Sequence, residues 1–253
     1  MPEPLLRVEG ISKRFGGLLA VDQASFDAPA GRITALIGPN GAGKTTLFAI
    51  IAGFLRPTEG RVLYDGADVT GDPPHKLARR GIARTFQIVQ PFAGLTVREN
   101  IAVGAHLHHR VRAEALAAAG AVARAVDLDR DLDKPAAALT VAARKRLELA
   151  RALAIEPRLL LLDEVLAGLN PSEVRDMVPV IRAIADRGVT IVMIEHVMQA
   201  VISLAEHVFV LAEGRVIAAG APHEIAADSR VVEAYLGHGA ARRMAGEGAH
   251  AGA

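Results

Sequence analysis

A nine-residue run, GPNGAGKTT at residues 38–46, constrains this chain more than any other feature of its sequence. It matches the phosphate-binding loop pattern G-x-x-x-x-G-K-[ST] at every fixed position. Residues 32–37 before it predict a short buried strand, and residues 47–52 after it predict a helix. This is the strand–loop–helix context in which the pattern binds phosphate, so the sequence predicts a nucleotide phosphate site here.

Each residue type in the loop has a physical part in phosphate binding. The glycines let successive backbone N–H groups converge on phosphate oxygens without clashes between Cβ atoms. A helix that starts near Gly43 adds the positive end of its dipole. Lys44 supplies a full positive charge for the β- and γ-phosphates. Thr45 is placed to hold Mg²⁺ and Thr46 to hydrogen-bond a phosphate. The alternative is a glycine-rich turn that carries a lysine by chance, and the full pattern in its strand–loop–helix context makes this a poor explanation.

Two further predicted strands end in polar side chains. Residues 159–162 are four leucines, followed by Asp163 and Glu164. A central parallel strand that ends in two carboxylates delivers them to the binding edge of a sheet. We expect Asp163 to hold Mg²⁺ through water and Glu164 to polarise the attacking water as general base. Residues 189–194 predict a neighbouring strand, and His196 after it is predicted to face the same cleft and sense the γ-phosphate.

Two more residues become candidates for the nucleotide site because of the motifs around them. Residues 82–86 predict a strand, and Gln87 at its end carries a carboxamide that can reach a bound Mg²⁺ or water. On its own, Gln87 would be a surface residue. Phe15 lies upstream of the phosphate loop between basic residues and glycines, which favours stacking on an adenine face over packing in a core.

Composition limits the kind of protein in which this loop can lie, as well as its compartment and its partners. The chain has 253 residues, 51% of them hydrophobic, enough for one large α/β domain or two small ones. The absence of cysteine excludes disulfides and thiol chemistry and favours a reducing compartment. A net charge of +1 without a dense basic block argues against a nucleic-acid partner. With no signal-peptide pattern and no apolar run near ~20 residues, we expect a soluble chain that can still dock on a membrane partner.

The remaining sequence patterns predict the secondary structure of the segments between and after these motifs. Residues 5–9, 21–28 and 61–64 predict a small antiparallel sheet, and residues 88–138 predict a helical insertion. Residues 238–253 lack periodicity and predict a disordered tail. Further helices are predicted at 97–106, 112–126, 144–155, 172–187, 222–227 and 230–236, and further strands at 206–211 and 215–219.

Taken in order, these motifs over residues 5–236 resemble the ATP-binding subunit of ABC transporters. The resemblance implies an α/β P-loop ABC ATPase with a mostly parallel RecA-like core, a small antiparallel β subdomain and a helical subdomain. It implies one domain over residues 1–237, with the helical subdomain at about 88–155 and the remainder at about 5–87 and 156–237. It also implies ATP and Mg²⁺ as ligands.

The resemblance assigns a role to each matching position. Phe15 is the adenine-stacking position, Gln87 the Q-loop, residues 168–171 the D-loop and His196 the switch histidine. The predicted catalytic residues are Lys44, Gln87, Glu164 and His196. The predicted metal ligands are Thr45, Gln87 and Asp163. The predicted nucleotide-binding residues are Phe15, Val21, Asn40, Gly41, Ala42, Gly43, Lys44, Thr45 and Thr46.

Several segments are similar to one subfamily, the high-affinity branched-chain amino acid importers. They are KRFGGL, RTFQ, GLTVRENI, AGLNP, IEHVM and EAYLG. This similarity implies a second ATPase subunit, two inner-membrane permeases, a periplasmic binding protein and a position on the cytoplasmic face of the membrane. Relatives that import urea or other amino acids, or export lipopolysaccharide, leave the substrate open.

Two positions depart from the family pattern. The signature Leu-Ser-Gly-Gly-Gln is replaced by LTVAA at residues 139–143, and Val165 stands where a proline usually follows the catalytic glutamate. Thr140 keeps a hydroxyl, but Ala142 adds a methyl group and Ala143 lacks an amide. Since the family's signature caps ATP held by the other subunit, we expect an asymmetric heterodimer. The alternative is that the helix N-terminus alone serves as the signature and both sites work, and a homodimer also stays open.

Two rival functions stay open at this point. A soluble ABC ATPase that acts on ribosomes or DNA usually has two ATPase domains or long coiled-coil insertions, whereas this chain has one phosphate loop and a short insertion. A nucleotide-binding module that does not hydrolyse is compatible with the altered signature. For a transporter subunit, residues 88–94 and the helical insertion are predicted to contact the permease.

Overall fold

In this computed structural model of the protein, residues 4–86 and 90–236 are described. The predicted tail at 238–253 and Gln87 lie outside them. The strands are β1 Pro4–Phe15, β2 Leu18–Pro29, β3 Ile33–Ile37, β4 Glu59–Tyr64, β5 Ala67–Asp68, β6 Ile82–Arg84, β7 Leu159–Asp163, β8 Thr190–Ile194, β9 His207–Ala212 and β10 Arg215–Gly220. The helices are α1 Lys44–Ile51, α2 Pro74–Arg79, α3 Val97–Ala105, α4 Arg112–Ala125, α5 Val141–Leu153, α6 Pro171–Asp186, α7 Met198–Leu204, α8 Pro222–Ala227 and α9 Ser229–Leu236.

A six-stranded sheet in the order β10-β9-β3-β8-β7-β6 forms the centre of the molecule. Its strands pair in parallel except for β10, which runs antiparallel to β9. The mostly parallel core is therefore confirmed. Because β3 and β7 both run parallel to β8, which lies between them, the phosphate loop after β3 and the acids after β7 emerge at the same edge of the sheet.

This sheet is buried on both faces. Side chains alternate along each strand, so Ile33, Ala35 and Ile37 of β3 face a core shared with α3–α7, whereas Leu36 faces a second core. Strands β7 and β8 show the same alternation. Two-sided burial explains why the sequence of these strands is almost continuously apolar.

A second, four-stranded sheet in the order β2-β1-β4-β5 confirms the predicted antiparallel subdomain. Its first two strands are longer than expected and form a hairpin, in which Phe15 pairs with Leu18 across a turn at residues 16–17. The sheet covers α1 within the second core. The hairpin tip consequently reaches out beside the phosphate loop.

The helical insertion is also present. Helices α3, α4 and α5 lie within a few residues of the predicted bounds, and α5 begins at Val141 because Thr140 caps it. The short helices α2 and α7 were not predicted. The subdomain limits stay a prediction. Within residues 4–86 and 90–236, every helix is too short or too polar to span a lipid bilayer.

Candidate nucleotide site

The phosphate loop connects β3 to α1 and has little room for side chains. Gly38 has φ 148° and Gly43 has φ 100°, values that favour glycine. A Cβ atom on Gly38 would overlap the carbonyl oxygen of Leu211, and one on Gly43 would overlap that of Ala20. The loop is therefore packed against β9 and β2, which fixes the direction of its backbone N–H groups.

Lys44 is the first residue of α1 and is 5% exposed. Its Nζ donates hydrogen bonds to the carbonyl oxygens of Gly38, at 2.7 Å, and Pro39, at 2.9 Å. Burial lowers the pKa of Lys44, and the negative charges of Glu164 and Asp163 partly oppose this effect. The two hydrogen bonds hold the ammonium group against the phosphate loop, where it is predicted to bind the β- and γ-phosphates.

A cleft of about 790 Å³ opens above this loop. It brings together most of the predicted nucleotide-binding and catalytic residues. Val21 is fully buried behind Gly43 rather than at the cleft surface, so it supports the loop. The lining residues are Phe15, Leu18, Ala20, Asn40, Gly41, Ala42, Gly43, Lys44, Thr45, Thr46, Glu164 and His196.

At one end of the cleft, the tip of the β1–β2 hairpin presents an aromatic ring. Phe15 is 45% exposed and lines the cleft, so its ring is accessible to a ligand. Lys13 Nζ lies 5.1 Å from the centroid of this ring. The exposed ring can stack on the planar base of a nucleotide, and the neighbouring ammonium group of Lys13 can approach the phosphates of the same nucleotide.

The predicted general base and switch residue meet at the other end. His196 Nε2 lies 2.7 Å from Glu164 Oε1, although the two residues are 32 positions apart in the chain. Glu164 has φ 51°, a left-handed conformation. Its N–H donates to the Ile194 carbonyl oxygen at 3.0 Å, and its carbonyl oxygen accepts from Lys145 Nζ at 3.1 Å. The two backbone bonds fix the main chain of Glu164 after β7, and the contact with His196 orients its carboxylate.

Asp163 at the end of β7 fits the role of a cation ligand. It is 1% exposed, Oδ2 accepts a hydrogen bond from Arg84 at 2.8 Å, and Oδ1 has no hydrogen-bond partner among the described residues. Thr45 and Asp163 line one cavity of about 520 Å³. Carboxylate and hydroxyl oxygens suit Mg²⁺, so these two predicted ligands fit the ion. Gln87, the third, lies outside the described residues.

Comparison with known proteins decides the family. A family model described as ABC transporter matches residues 21–167, more than half of the chain. The chain belongs to the ABC transporter family. Accordingly, it is an ATP-binding cassette ATPase. A second model, described as branched-chain amino acid ATP-binding cassette transporter, matches residues 215–241 of this ABC protein.

Two curated ABC proteins are similar along almost their whole length. The chain is 38% identical to the high-affinity branched-chain amino acid transport ATP-binding protein BraF of Pseudomonas aeruginosa, over 94% of this chain and 99% of that protein. It is 37% identical to LivG of Escherichia coli, which has the same description, over the same shares of each chain. A solved nucleotide-free ABC transporter cassette superposes with a TM-score of 0.86 at 32% identity, covering 93% of this chain and 100% of that one.

The altered signature of this ABC protein forms the start of α5. Thr140 Oγ1 accepts a hydrogen bond from Ala143 N–H at 3.2 Å, so the threonine is an N-cap. The next residue, Val141, is 58% exposed. The helix start thus presents an isopropyl group to solvent at the position of the first glycine in the signature Leu-Ser-Gly-Gly-Gln.

Sequence reasoning passed over Glu195, the residue between β8 and His196. It is 1% exposed, and Oε1 accepts a hydrogen bond from the N–H of Leu166 at 2.9 Å. Burial raises its pKa to about 7, and the charge of Glu164 adds to this effect. Hydrogen bonds from the backbone of Leu166 and His196, and the charge of Lys145, act in the opposite direction. A carboxyl group directly after a buried strand was the available signal.

Glu195→Gln should remove part of the pH dependence of stability. The unfolded carboxyl titrates near 4.5 and the folded one at about 7, so the folded chain binds more protons in between. Wild-type stability is therefore lost as pH rises through this interval. Between about pH 5 and pH 8, the free energy of unfolding should fall by about 2–3 kcal/mol more in the wild type than in Glu195→Gln. Urea unfolding at several pH values measures this.

Glu156→Gln is the matched control, because Glu156 is exposed on the linker between α5 and β7. This variant should follow the wild type at every pH. Parallel stability curves for wild type and Glu195→Gln would show that the buried carboxyl does not hold its proton in the folded chain.

Proposed function

We propose that this ABC ATPase powers the import of branched-chain or related amino acids as one subunit of a membrane transporter. The observation that carries the hydrolytic part is the 2.7 Å contact between Glu164 and His196 in the cleft that the phosphate loop lines. The amino acid substrate is inferred from the described function of BraF and LivG and from the C-terminal family match.

Several residues of the cleft and of the neighbouring cation site have separate tasks in the proposed reaction. The loop N–H groups and Lys44 bind the β- and γ-phosphates. Glu164 accepts the proton of the attacking water, and His196 holds the Glu164 carboxylate in position through their hydrogen bond. Phe15 stacks on the adenine. When bound, Mg²⁺ supplies positive charge that offsets the negative charge of the phosphates, with Thr45, Asp163 and Gln87 as its ligands.

The proposed assembly contains a second ABC ATPase subunit, two inner-membrane permeases and, indirectly, a periplasmic binding protein. This chain then lies on the cytoplasmic face of the membrane. The exposed aromatic side chains Phe54, Phe86 and Phe92 support a docking surface for a permease beside the helical insertion, since large exposed apolar groups mark interaction sites. Phe92 lies under the Arg151 guanidinium, 4.9 Å from its carbon to the ring centroid.

The two nucleotide sites of this assembly are proposed to differ. If each signature caps the partner's ATP, the exposed Val141 and the methyl group of Ala142 weaken only the site that holds the partner's nucleotide. The site with this chain's Lys44 and Glu164 then depends on the partner's signature. An asymmetric heterodimer follows, with this chain's acid as the main hydrolytic residue.

Uptake of labelled amino acids by cells tests the proposed function. Deleting the gene should abolish high-affinity uptake of leucine, isoleucine and valine, because transport then lacks its energy source. The wild-type gene should restore it, and a gene carrying Lys44→Ala should not. Unchanged uptake of all three, with loss of urea uptake or of lipopolysaccharide export instead, would reject the amino acid assignment.

A further inference from the structure

Arg84, the last residue of β6, contacts both the proposed cation site and the aromatic surface beside it. Its side chain is 10% exposed. Nη2 donates a hydrogen bond to Asp163 Oδ2 at 2.8 Å. The guanidinium carbon lies 5.8 Å from the centroid of the Phe54 ring and 5.6 Å from that of Phe86. One planar cation is therefore shared between a carboxylate and two aromatic rings.

The two rings stand at the mouth of a groove between the core and the helical insertion. Phe54 and Phe86 contact each other edge to face, with centroids 5.7 Å apart, and are 50% and 46% exposed. The groove has a volume of about 240 Å³, and Arg84 is part of its wall. Arg84 and Phe86 also line the cavity that contains Thr45 and Asp163. The groove and the cation site thus share side chains.

The ion pair between Arg84 and Asp163 is incompletely satisfied. Among the described residues, both Arg84 Nε and Asp163 Oδ1 are buried without a hydrogen-bond partner. Native proteins rarely leave such atoms unpaired, and the free carboxylate oxygen can accept a cation. A divalent cation at Asp163 would be attracted by the same carboxylate charge that attracts the Arg84 guanidinium, so the ion pair between Arg84 and Asp163 would weaken.

We propose that Arg84 couples occupation of the cation site at Asp163 to the arrangement of Phe54 and Phe86. When a divalent cation binds with the nucleotide, the guanidinium shifts from the carboxylate toward the two ring faces, which attract it through their quadrupoles. Arg84 is a positioning residue here, because its contacts are with Asp163 and the rings. The proposal rests on the proposed function only in taking Asp163 as a ligand of Mg²⁺.

A single introduced tryptophan can report this coupling, because the chain has no tryptophan of its own. Phe54→Trp places the reporter on the groove. Saturating ATP with Mg²⁺ should shift its emission, whereas ATP with EDTA should not. In Phe54→Trp combined with Arg84→Met, ATP with Mg²⁺ should give less than half of that shift. Equilibrium dialysis with labelled ATP establishes that both proteins are saturated.

Arg158→Met is the matched control in the Phe54→Trp background. Arg158 also joins a carboxylate to a ring, since it donates to Asp65 at 2.7 Å and lies 6.0 Å from the centroid of Tyr64, but it precedes the opposite end of β7. This control should keep the full shift. If Arg84→Met does not fold, Arg84→Gln, which retains a donor for Asp163, takes its place with the same expected loss.

Three results would overturn the coupling: no shift in saturated Phe54→Trp, an equal shift with EDTA, or a full shift without the Arg84 guanidinium. The outcome is separate from that of the uptake experiment. A chain that restores uptake but shows no shift would retain the proposed function and lose this role of Arg84. A chain that shows the shift but does not restore uptake would lose the proposed function alone.

Discussion

Glu164→Gln should abolish ATP hydrolysis by the assembled transporter while leaving ATP binding intact. Glutamine has nearly the same shape as glutamate but cannot accept the proton of the attacking water. Loss of a general base lowers the rate by about 10²–10⁴-fold. The amide can still hydrogen-bond His196, which lies 2.7 Å from Oε1 in the wild type, so the cleft should keep its form. Phosphate release and equilibrium binding of labelled ATP measure the two effects.

Glu156→Gln is again the matched control. Glu156 has φ 53°, close to the φ 51° of Glu164, but it precedes β7, whereas Glu164 follows it. The same substitution in the same backbone conformation should therefore leave hydrolysis unchanged. A Glu164→Gln transporter that hydrolyses ATP at more than about a tenth of the wild-type rate would remove Glu164 from the role of general base.

The same variant tests the proposed asymmetry of the two sites. If the altered signature at residues 139–143 weakens only the site that holds the partner's nucleotide, replacing the partner's equivalent acid should leave most of the ATPase activity. Replacing Glu164 should remove nearly all of it. Equal and complete losses from both substitutions would mean that the two sites depend on each other or work alike, and the asymmetry would be wrong.

The sequence predicted the fold and the cleft well because their signals are local. The loop at residues 38–46, the acids after residue 162 and His196 each follow a short apolar run, and the ends of parallel strands meet at one sheet edge. The structure brings the loop, Glu164 and His196 to one cleft. Strand periodicity and motif spacing predict this cleft, whereas the ABC ATPase fold was implied by the family resemblance.

The features that sequence reasoning missed depend on distant contacts. The proposed coupling by Arg84 could not be predicted from the neighbouring sequence, because two of its three partners, Phe54 and Asp163, are 30 and 79 positions away in the chain. The position of Glu195 after a buried strand hinted at a buried carboxyl group, but its bond to Leu166, 29 positions away, is seen only in the structure. Helix α7 has seven residues, a length at which helical periodicity barely repeats.

Lys44→Ala should weaken the binding of ATP with Mg²⁺ by about 10–100-fold, because a hydrogen bond to a charged group contributes about 1.5–3 kcal/mol. The ammonium group of Lys44 lies against the loop, so its removal takes a full positive charge away from the phosphate site. At an ATP concentration near 100 Kd of the wild type, the nucleotide stabilises the wild-type fold by about 2.7 kcal/mol. The variant should gain only about 0.4–1.4 kcal/mol at the same ATP concentration, which thermal unfolding with and without nucleotide measures.

Lys44 also has a structural task without nucleotide, because its Nζ binds the carbonyl oxygens of Gly38 and Pro39. Its loss is therefore expected to lower the stability of the free protein too, and only the gain on adding ATP reports binding. Lys76→Ala, at an exposed position on α2, is the control and should gain as much as the wild type. If Lys44→Ala gained equally, the loop would bind phosphate through its backbone N–H groups alone, and the lysine would serve only to close the loop.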